Sequence, residues 1–377
     1  MRIVIFGGTG NLGTALARRL VPEHDVRIVA RRLPAVPEQA IPGADWYEAD
    51  VTEDDLVPAV ADADVMVHLA WTFHPTRDPG QTWQVNVIGT ERVLAAAEQA
   101  RTPAVVCSSS VAAYSPRSDL QPVDESFPTH GTGSSAYARE KSYVERLLDS
   151  FALRNPQTRT VRMRPAFVFQ REAAAEQWRL FVANPKFRRL FDTRLAPALP
   201  LPRDLMLQAV HADDLTEAFV AAIEGEAVGA YNLAVDDVLG GADVSSLLNA
   251  RPFFVETQRM RQLVSMAWKA HASKAPPDLF DTMMSLPVMS TQRARDDLGW
   301  RPRTTAASAI GSFLSGTADR ESGPTPALAE DPMPADEHTS KQELYDRARE
   351  LDIDGRSSMN KDELIAALRR AAATEHT

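Results

Sequence analysis

A phenol and an amine stand one helical turn apart in the stretch Ser134–Leu148, SSAYAREKSYVERLL. At 100° per residue, Val144, Leu147, Leu148 and Phe151 share one apolar face, with Lys141 and Tyr137 on it one and two turns upstream. A lysine carried into a core loses hydration, which costs free energy unless something uses its charge. Near the N-terminus, IFGGTGNLG sets Gly7, Gly10 and Gly13 between a strand-like run and a helix-like one. Glycines so placed allow a tight turn, a close backbone approach to a pyrophosphate, and a helix start with unpaired N–H groups. Thr9, Asn11 and Leu12 belong to the same cradle.

Other residues narrow the ligand. A carboxylate about 20 residues past such glycines usually holds the ribose 2′-hydroxyl of NAD. Here the second strand ends in RIVARR, so Arg31 and Arg32 stand in its place. Guanidinium groups suit a 2′-phosphate, which favours NADP over NAD. Asp50 and Val51 follow the third strand, where they could bracket an adenine ring; Asp50 could equally cap a following helix. Leu69 and Ala70 end the fourth strand, where a small residue lets a cofactor lie against the backbone.

These groups need a frame. Short apolar runs alternate with helical patterns through the first half, which predicts an α/β fold with a doubly wound parallel (Rossmann) sheet. Strands are expected at Arg2–Phe6, Val26–Ala30, Trp46–Glu48, Val65–Leu69, Ala104–Cys107 and Thr160–Met163. Helices are expected at Leu12–Leu20, Glu53–Val60 and Trp83–Ala97, besides the one that carries Tyr137. The division that follows is a dinucleotide-binding domain over 1–170 and a substrate-binding lobe over 171–314, interleaved with the sheet. A flexible linker over 315–338, rich in Pro, Ala and acidic residues, leads to a small helical module over 339–373.

Bulk properties exclude several classes. A net charge of −10 over 377 residues disfavours broad binding to a phosphate backbone. One cysteine, Cys107, excludes an intramolecular disulfide framework and fits a reducing cytoplasm. Histidines lack metal-ligand spacing, so no metal site is assigned. The opening MRIVIF reads as a buried strand rather than a leader, and no run is apolar enough to span a membrane.

Taken together, the glycine pattern, His68-Leu69-Ala70, Asn86-Val87-Ile88-Gly89-Thr90, Ser108-Ser109-Ser110 and Tyr137-x-x-x-Lys141 resemble an extended short-chain dehydrogenase/reductase. More narrowly, they are similar to the NAD-dependent epimerase/dehydratase family, over roughly Met1 to Pro302. The resemblance implies that Tyr137 is the general acid/base and that Lys141 lowers its pKa and holds the nicotinamide ribose. It implies that Ser110 hydrogen-bonds the reacting oxygen, chosen by its spacing to Tyr114, with Ser109 as the fallback. It also implies cofactor contacts from Asn86, Ser108 and Pro165. Sugar-nucleotide members carry an asparagine and a glycine where this chain has Phe167 and Gln170. Phe167, Phe169, Trp178 and Phe181 are therefore expected to line an apolar pocket for a ketone, aldehyde or hydrophobic alcohol.

The tail SKQELYDRARELDIDGRSSMNKDELIAALRRA resembles the N-terminal helical unit of the Rho transcription termination factor and SAP-type modules. Capping-box patterns stand at Ser340 with Glu343 and at Asn360 with Glu363. The resemblance implies binding of nucleic acid or of a protein partner, though the balanced charge of the tail gives nucleic acid little support. The leading expectation is an NADP-dependent carbonyl reductase or alcohol dehydrogenase acting on a small-molecule substrate. The family also suggests a homodimer through long helices. Two alternatives remain: a nucleotide-sugar epimerase or dehydratase, and a non-catalytic NADP-binding regulator whose tail contacts nucleic acid or a partner.

Overall fold

The computed structural model describes residues 1–73, 79–181, 199–270, 276–329, 341–350 and 353–375. They divide into two units, Met1–Leu328 and Ala329–Thr377. In chain order the strands are β1 (Arg2–Phe6), β2 (Asp25–Ala30), β3 (Asp45–Glu48), β4 (Val65–His68), β5 (Ala104–Ser108) and β6 (Arg159–Pro165). They continue with β7 (Phe167–Phe169), β8 (Leu199–Pro202), β9 (Ala209–His211), β10 (Gly229–Leu233) and β11 (Pro252–Val255). Seven of them form one sheet in the order β10-β6-β5-β4-β1-β2-β3. All its pairings are parallel. The doubly wound sheet expected from the alternating pattern is therefore present.

Both faces of the sheet are apolar because helices cover both. Ile3 and Ile5 point to one side, where Leu16 and Leu20 of helix Asn11–Leu20 and Leu215 and Phe219 of helix Ala212–Glu224 meet them. Val4 and Phe6 point to the other, against Val93, Val144, Leu148 and Phe151. The last three lie on helix Ala136–Arg154, so the apolar stripe read from its sequence is the face on the sheet. Strand order reverses between β4 and β1, which opens a crevice at their carboxyl ends. The turn after β1 and the residues after β4 both border it.

Three local expectations need correction. Glu53–Val60 is not an α-helix: a turn after Asp50 is followed by a single 3-10 element at Pro58–Val60. Asp50 accepts from the N–H and hydroxyl of Thr52, and Asp55 accepts from Val57 N–H, so side chains compete for the backbone there. The Trp83–Ala97 helix is longer and irregular, with Pro79–Trp83 and Gly89–Ala100 flanking a π-helical segment at Gln84–Ile88. The linker expected from Ser315 is ordered over its first part. Helix Ala306–Ala318 runs into it, and Thr325 and Leu328 beyond are buried. Arg171 pairs with Asp319 and Glu321 to fasten this segment. The rest of the expected linker, 330–338, lies outside the described residues.

In the second unit, helices Lys341–Glu350 and Lys361–Glu375 enclose Leu344, Ala348, Leu364, Ile365 and Leu368. Asn360 and Glu363 cap reciprocally: Glu363 N–H donates to Asn360 Oδ1 at 2.9 Å and Asn360 N–H to Glu363 Oε2 at 2.8 Å. The other expected capping box includes Ser340, outside the described residues. Because each unit closes its own core, deleting Asp331–Thr377 should leave the thermal transition of the larger unit within about 3 °C. Calorimetry of the full and shortened chains measures this, and a collapsed transition would show the tail to be part of the main core.

Candidate functional site

The glycine turn leaves no room for side chains at two of its positions. Gly7 adopts a φ of +81°, and a Cβ there would lie 2.5 Å from Ala70 N. A Cβ on Gly13 would lie 2.2 Å from Gly7 O, so the helix enters directly behind the turn. Gly10 is the N-cap and supplies no side chain to the first-turn N–H groups. These positions fit the phosphates of a dinucleotide: small, uncapped and at the positive end of a helix. The adjoining cleft, about 190 Å³, is lined by Gly7, Thr9, Gly10, Arg31, Asp50, Val51, Leu69 and Ala70, among others.

The remaining expected cofactor residues are placed unevenly. Arg32 adjoins the cleft in sequence but is not among its lining residues. Leu12 packs its side chain into the core. Asn11 is held from behind, where Gln170 Nε2 donates to its carbonyl at 2.7 Å and to its Oδ1 at 2.6 Å. Gln170, which departs from the sugar-nucleotide pattern, thus braces the start of helix Asn11–Leu20. Pro165 ends β6 and is buried beside the Ser108 strand.

Asn86 is buried and engaged elsewhere. Its Oδ1 accepts from Thr72 N–H at 2.7 Å, and its Nδ2 donates to Thr72 O at 2.9 Å and to Glu140 Oε2 at 2.7 Å. It acts as a clasp on the loop after β4, seated in the π-helical segment. Thr90 donates to Asn86 O at 2.6 Å, so His68 Nε2, 2.8 Å from the Thr90 hydroxyl, is the donor there. Burial, aided by the Lys141 charge, pushes His68 down to about 3, so the ring is neutral.

Tyr137, Lys141 and the serines converge at the carboxyl end of β5. Tyr137 donates its hydroxyl to Ser110 Oγ at 3.2 Å. Ser110 is the N-cap of a 3-10 turn and its Oγ also accepts from Ala112 N–H at 3.1 Å, which sets its rotamer. Ser109, the fallback, points away and donates to Glu145 Oε1 at 2.6 Å. Lys141, 4% exposed, donates to Ser108 O at 3.1 Å, and its Nζ stands 3.4 Å from the centroid of the Trp71 ring. Burial pushes its ammonium down to about 8.

The phenol behaves differently from the expectation. Burial lifts Tyr137 above its ordinary value; the Ser110 hydrogen bond opposes this and the Glu140 charge adds to it. Burial is the largest of these causes, because a low-dielectric setting penalises the phenolate. The apolar pocket also lies elsewhere. Phe167 faces a separate cavity with Val111, Met206 and Leu286, and Phe169 packs on Phe313. The side chains of Trp178 and Phe181 lie outside the described residues. Against Tyr137 is a small cavity of about 50 Å³ lined by Thr72, Phe73, Thr82, Ser135, Glu140 and Asp278, among others.

Sequence reading missed Trp71, Glu140 and the Glu145–Arg164 pair. Glu145 is fully buried; Arg164 Nε donates to its Oε1 at 2.8 Å and Arg164 Nη2 to its Oε2 at 2.9 Å. Burial acts to raise this carboxyl, but the bonds and charge of Arg164 outweigh it and hold it below its ordinary value. A signal was present: Glu145 lies one turn beyond Lys141 on the same inward face, a second charge bound for burial.

Comparison with known proteins now bears on this geometry. The NAD dependent epimerase/dehydratase family profile matches residues 3–234, and the Rho termination factor N-terminal domain matches residues 338–376. A ketoreductase of Stigmatella aurantiaca, named for a farnesylated dihydroquinoline-oxide substrate, is 31% identical over 45% of this chain and 51% of its own. A UDP-glucose 4-epimerase of Erwinia amylovora is 26% identical over 44% of this chain and 52% of its own. The chain spans about half the length, or less, of the curated relatives it first matches. Among solved structures, the UDP-glucose 4-epimerase of Thermotoga maritima superposes with a TM-score of 0.67 at 17% identity, over 85% of this chain and 99% of that one. That likeness is one of fold. With its parallel sheet, glycine cradle and matched segment covering most of the larger unit, this chain belongs to the NAD dependent epimerase/dehydratase family.

Proposed function

We propose that this protein is an NADP-dependent oxidoreductase that interconverts a carbonyl and an alcohol, with Tyr137 as the general acid/base. The observation that carries the reading is the hydrogen bond from Tyr137 to Ser110 at 3.2 Å, with Lys141 buried one turn behind. The nicotinamide ring, when bound, supplies the hydride acceptor or donor. Gly7, Gly10 and Gly13 would admit the phosphates, and Arg31, lining the cleft, would meet a 2′-phosphate. Arg32 would reinforce the same charge from the end of β2.

The protein's own part is to place and move one proton. A phenol held above its ordinary value is protonated at neutral pH, so Tyr137 begins as an acid. That state suits protonation of a carbonyl oxygen, with Ser110 as second partner to the developing charge. Lys141, close to its midpoint near neutrality, favours the phenolate left behind once the proton has gone. The ketoreductase relative supports this direction. The epimerase relative supports a second reading, in which the hydride returns to the same substrate. For the second unit, a protein-docking role fits its balanced charge better than nucleic-acid binding does.

Tyr137→Phe should lower turnover at least about 100-fold, the usual scale for losing a positioned acid, with NADPH affinity nearly intact. Loss of binding instead would make Tyr137 structural. In the same assay a reductase consumes NADPH in step with product, whereas an epimerase leaves the absorbance of the reduced cofactor unchanged. Replacing Arg31 and Arg32 by Ala should weaken NADPH about tenfold or more and NADH little, on the scale of one or two charge-assisted contacts. Equal losses would refute the 2′-phosphate assignment. Finally, Lys141 releases its proton near pH 8 when folded but near 10.5 when unfolded. Between those values the unfolded chain binds more protons, so folding stability gains with pH in that window. Urea unfolding at pH 7 and pH 9.5 should show wild type gaining on Lys141→Met; a constant difference would mean the amine is solvated.

A further inference from the structure

The segment after the last helix of the larger unit crosses the glycine cradle. Thr325, 1% exposed, donates its hydroxyl to Thr9 O at 2.7 Å, and its Oγ lies 3.5 Å from Thr14 Oγ1. The Thr9–Gly10 peptide is thereby held at both ends, because Gly10 N–H donates to Gly7 O at 3.2 Å. Two residues on, Ala327 is itself a wall of the cleft that Gly7, Gly10, Arg31 and Asp50 line. The segment closes on itself through Gly323 N–H to Leu328 O and Leu328 N–H to Thr325 O, both 3.0 Å. Leu328 is fully buried, and a Cβ on Gly323 would lie 2.7 Å from its side chain. Pro324 and Pro326 restrict the backbone between these ties.

We propose that Asp319–Leu328 is a structural part of the dinucleotide site, with Thr325 a positioning residue and Ala327 a lining residue. The proposal rests on the assignment of the cleft to a nicotinamide dinucleotide. Fixing the Thr9–Gly10 peptide fixes the entry of helix Asn11–Leu20, whose first N–H groups must aim at the diphosphate before it arrives. A turn already held in place loses less freedom on binding, and affinity gains by that amount. Ala327 adds no charge to a wall that already holds Arg31, Asp50 and Glu176.

The test titrates the full-length protein with NADPH and with NADH, following quenching of intrinsic fluorescence. Thr325→Val should raise Kd about fivefold, the scale of one hydrogen bond, and Thr325→Ser should restore it. Ala327→Asp should weaken binding and Ala327→Lys should strengthen it, an opposition that a merely structural role would not produce. Binding equal to wild type in Thr325→Val and in both Ala327 variants would overturn the proposal while leaving the cleft assignment standing. Failure of the wild-type protein to bind either nucleotide would overturn the cleft assignment and this proposal with it.

Discussion

Three charged side chains on one helix face are kept from water, and the site is organised around satisfying them. Glu140, Lys141 and Glu145 all lie on the inner side of helix Ala136–Arg154 and are buried. An unpaired charge there would cost several kcal/mol, so each must find a partner in the loops at the carboxyl end of the sheet. Glu145 takes Arg164 from β6 and Ser109 from the end of β5. Glu140 takes Asn86, at 2.7 Å, and Thr82, at 2.6 Å, and through Asn86 the loop after β4. Lys141 is left with one carbonyl and the face of Trp71. The helix therefore sets the position of the loops around Ser110 and of the loop that carries Trp71 and Thr72. Tyr137 occupies the gap between them.

The same demand shapes the protonation states. Desolvation lifts the phenol and depresses the amine, which brings an acid and a base toward each other from opposite sides. Two other titratable groups nearby are silenced. His68 is neutral, and burial pushes the Cys107 thiol up to about 12, so neither competes for a proton near neutral pH. Tyr137 and Lys141 are the pair so shifted, and the carboxyl groups of Glu140 and Asp278 stand in the wall of the cavity against Tyr137. That wall, with Thr82, Glu140 and Asp278 beside Phe73, departs from the aromatic lining expected from the sequence.

Much of this was readable before any coordinates. The turn Gly7–Gly13 between a strand and a helix, the alternating runs of β1 to β6, and the inward face bearing Tyr137 and Lys141 all depend on local periodicity, which sequence carries directly. Elements governed by side-chain competition read differently: Glu53–Val60 has helical apolar spacing, but Asp55 takes the Val57 N–H, which a helix would give to the Glu53 carbonyl. Composition misled at Ser315–Leu328 as well, where Pro and Ala suggested a free linker. There, two ion pairs from Arg171 and one hydroxyl to Thr9 order the chain.

By itself the sequence determined the strands, the glycine turn after β1 and the placing of phenol and amine on one helix face, because each is a relation among residues close along the chain. The family resemblance pointed to Ser110, and the fold brings it to Tyr137; tertiary structure alone decided what neutralises Glu145, where Phe167 faces, and what lies across the cradle. Those are contacts between residues 27 positions apart, as for Ser110 and Tyr137, or 316 apart, as for Thr9 and Thr325. No local period encodes them. They follow from the order of strands in the sheet and from the need of each buried polar atom to find a partner.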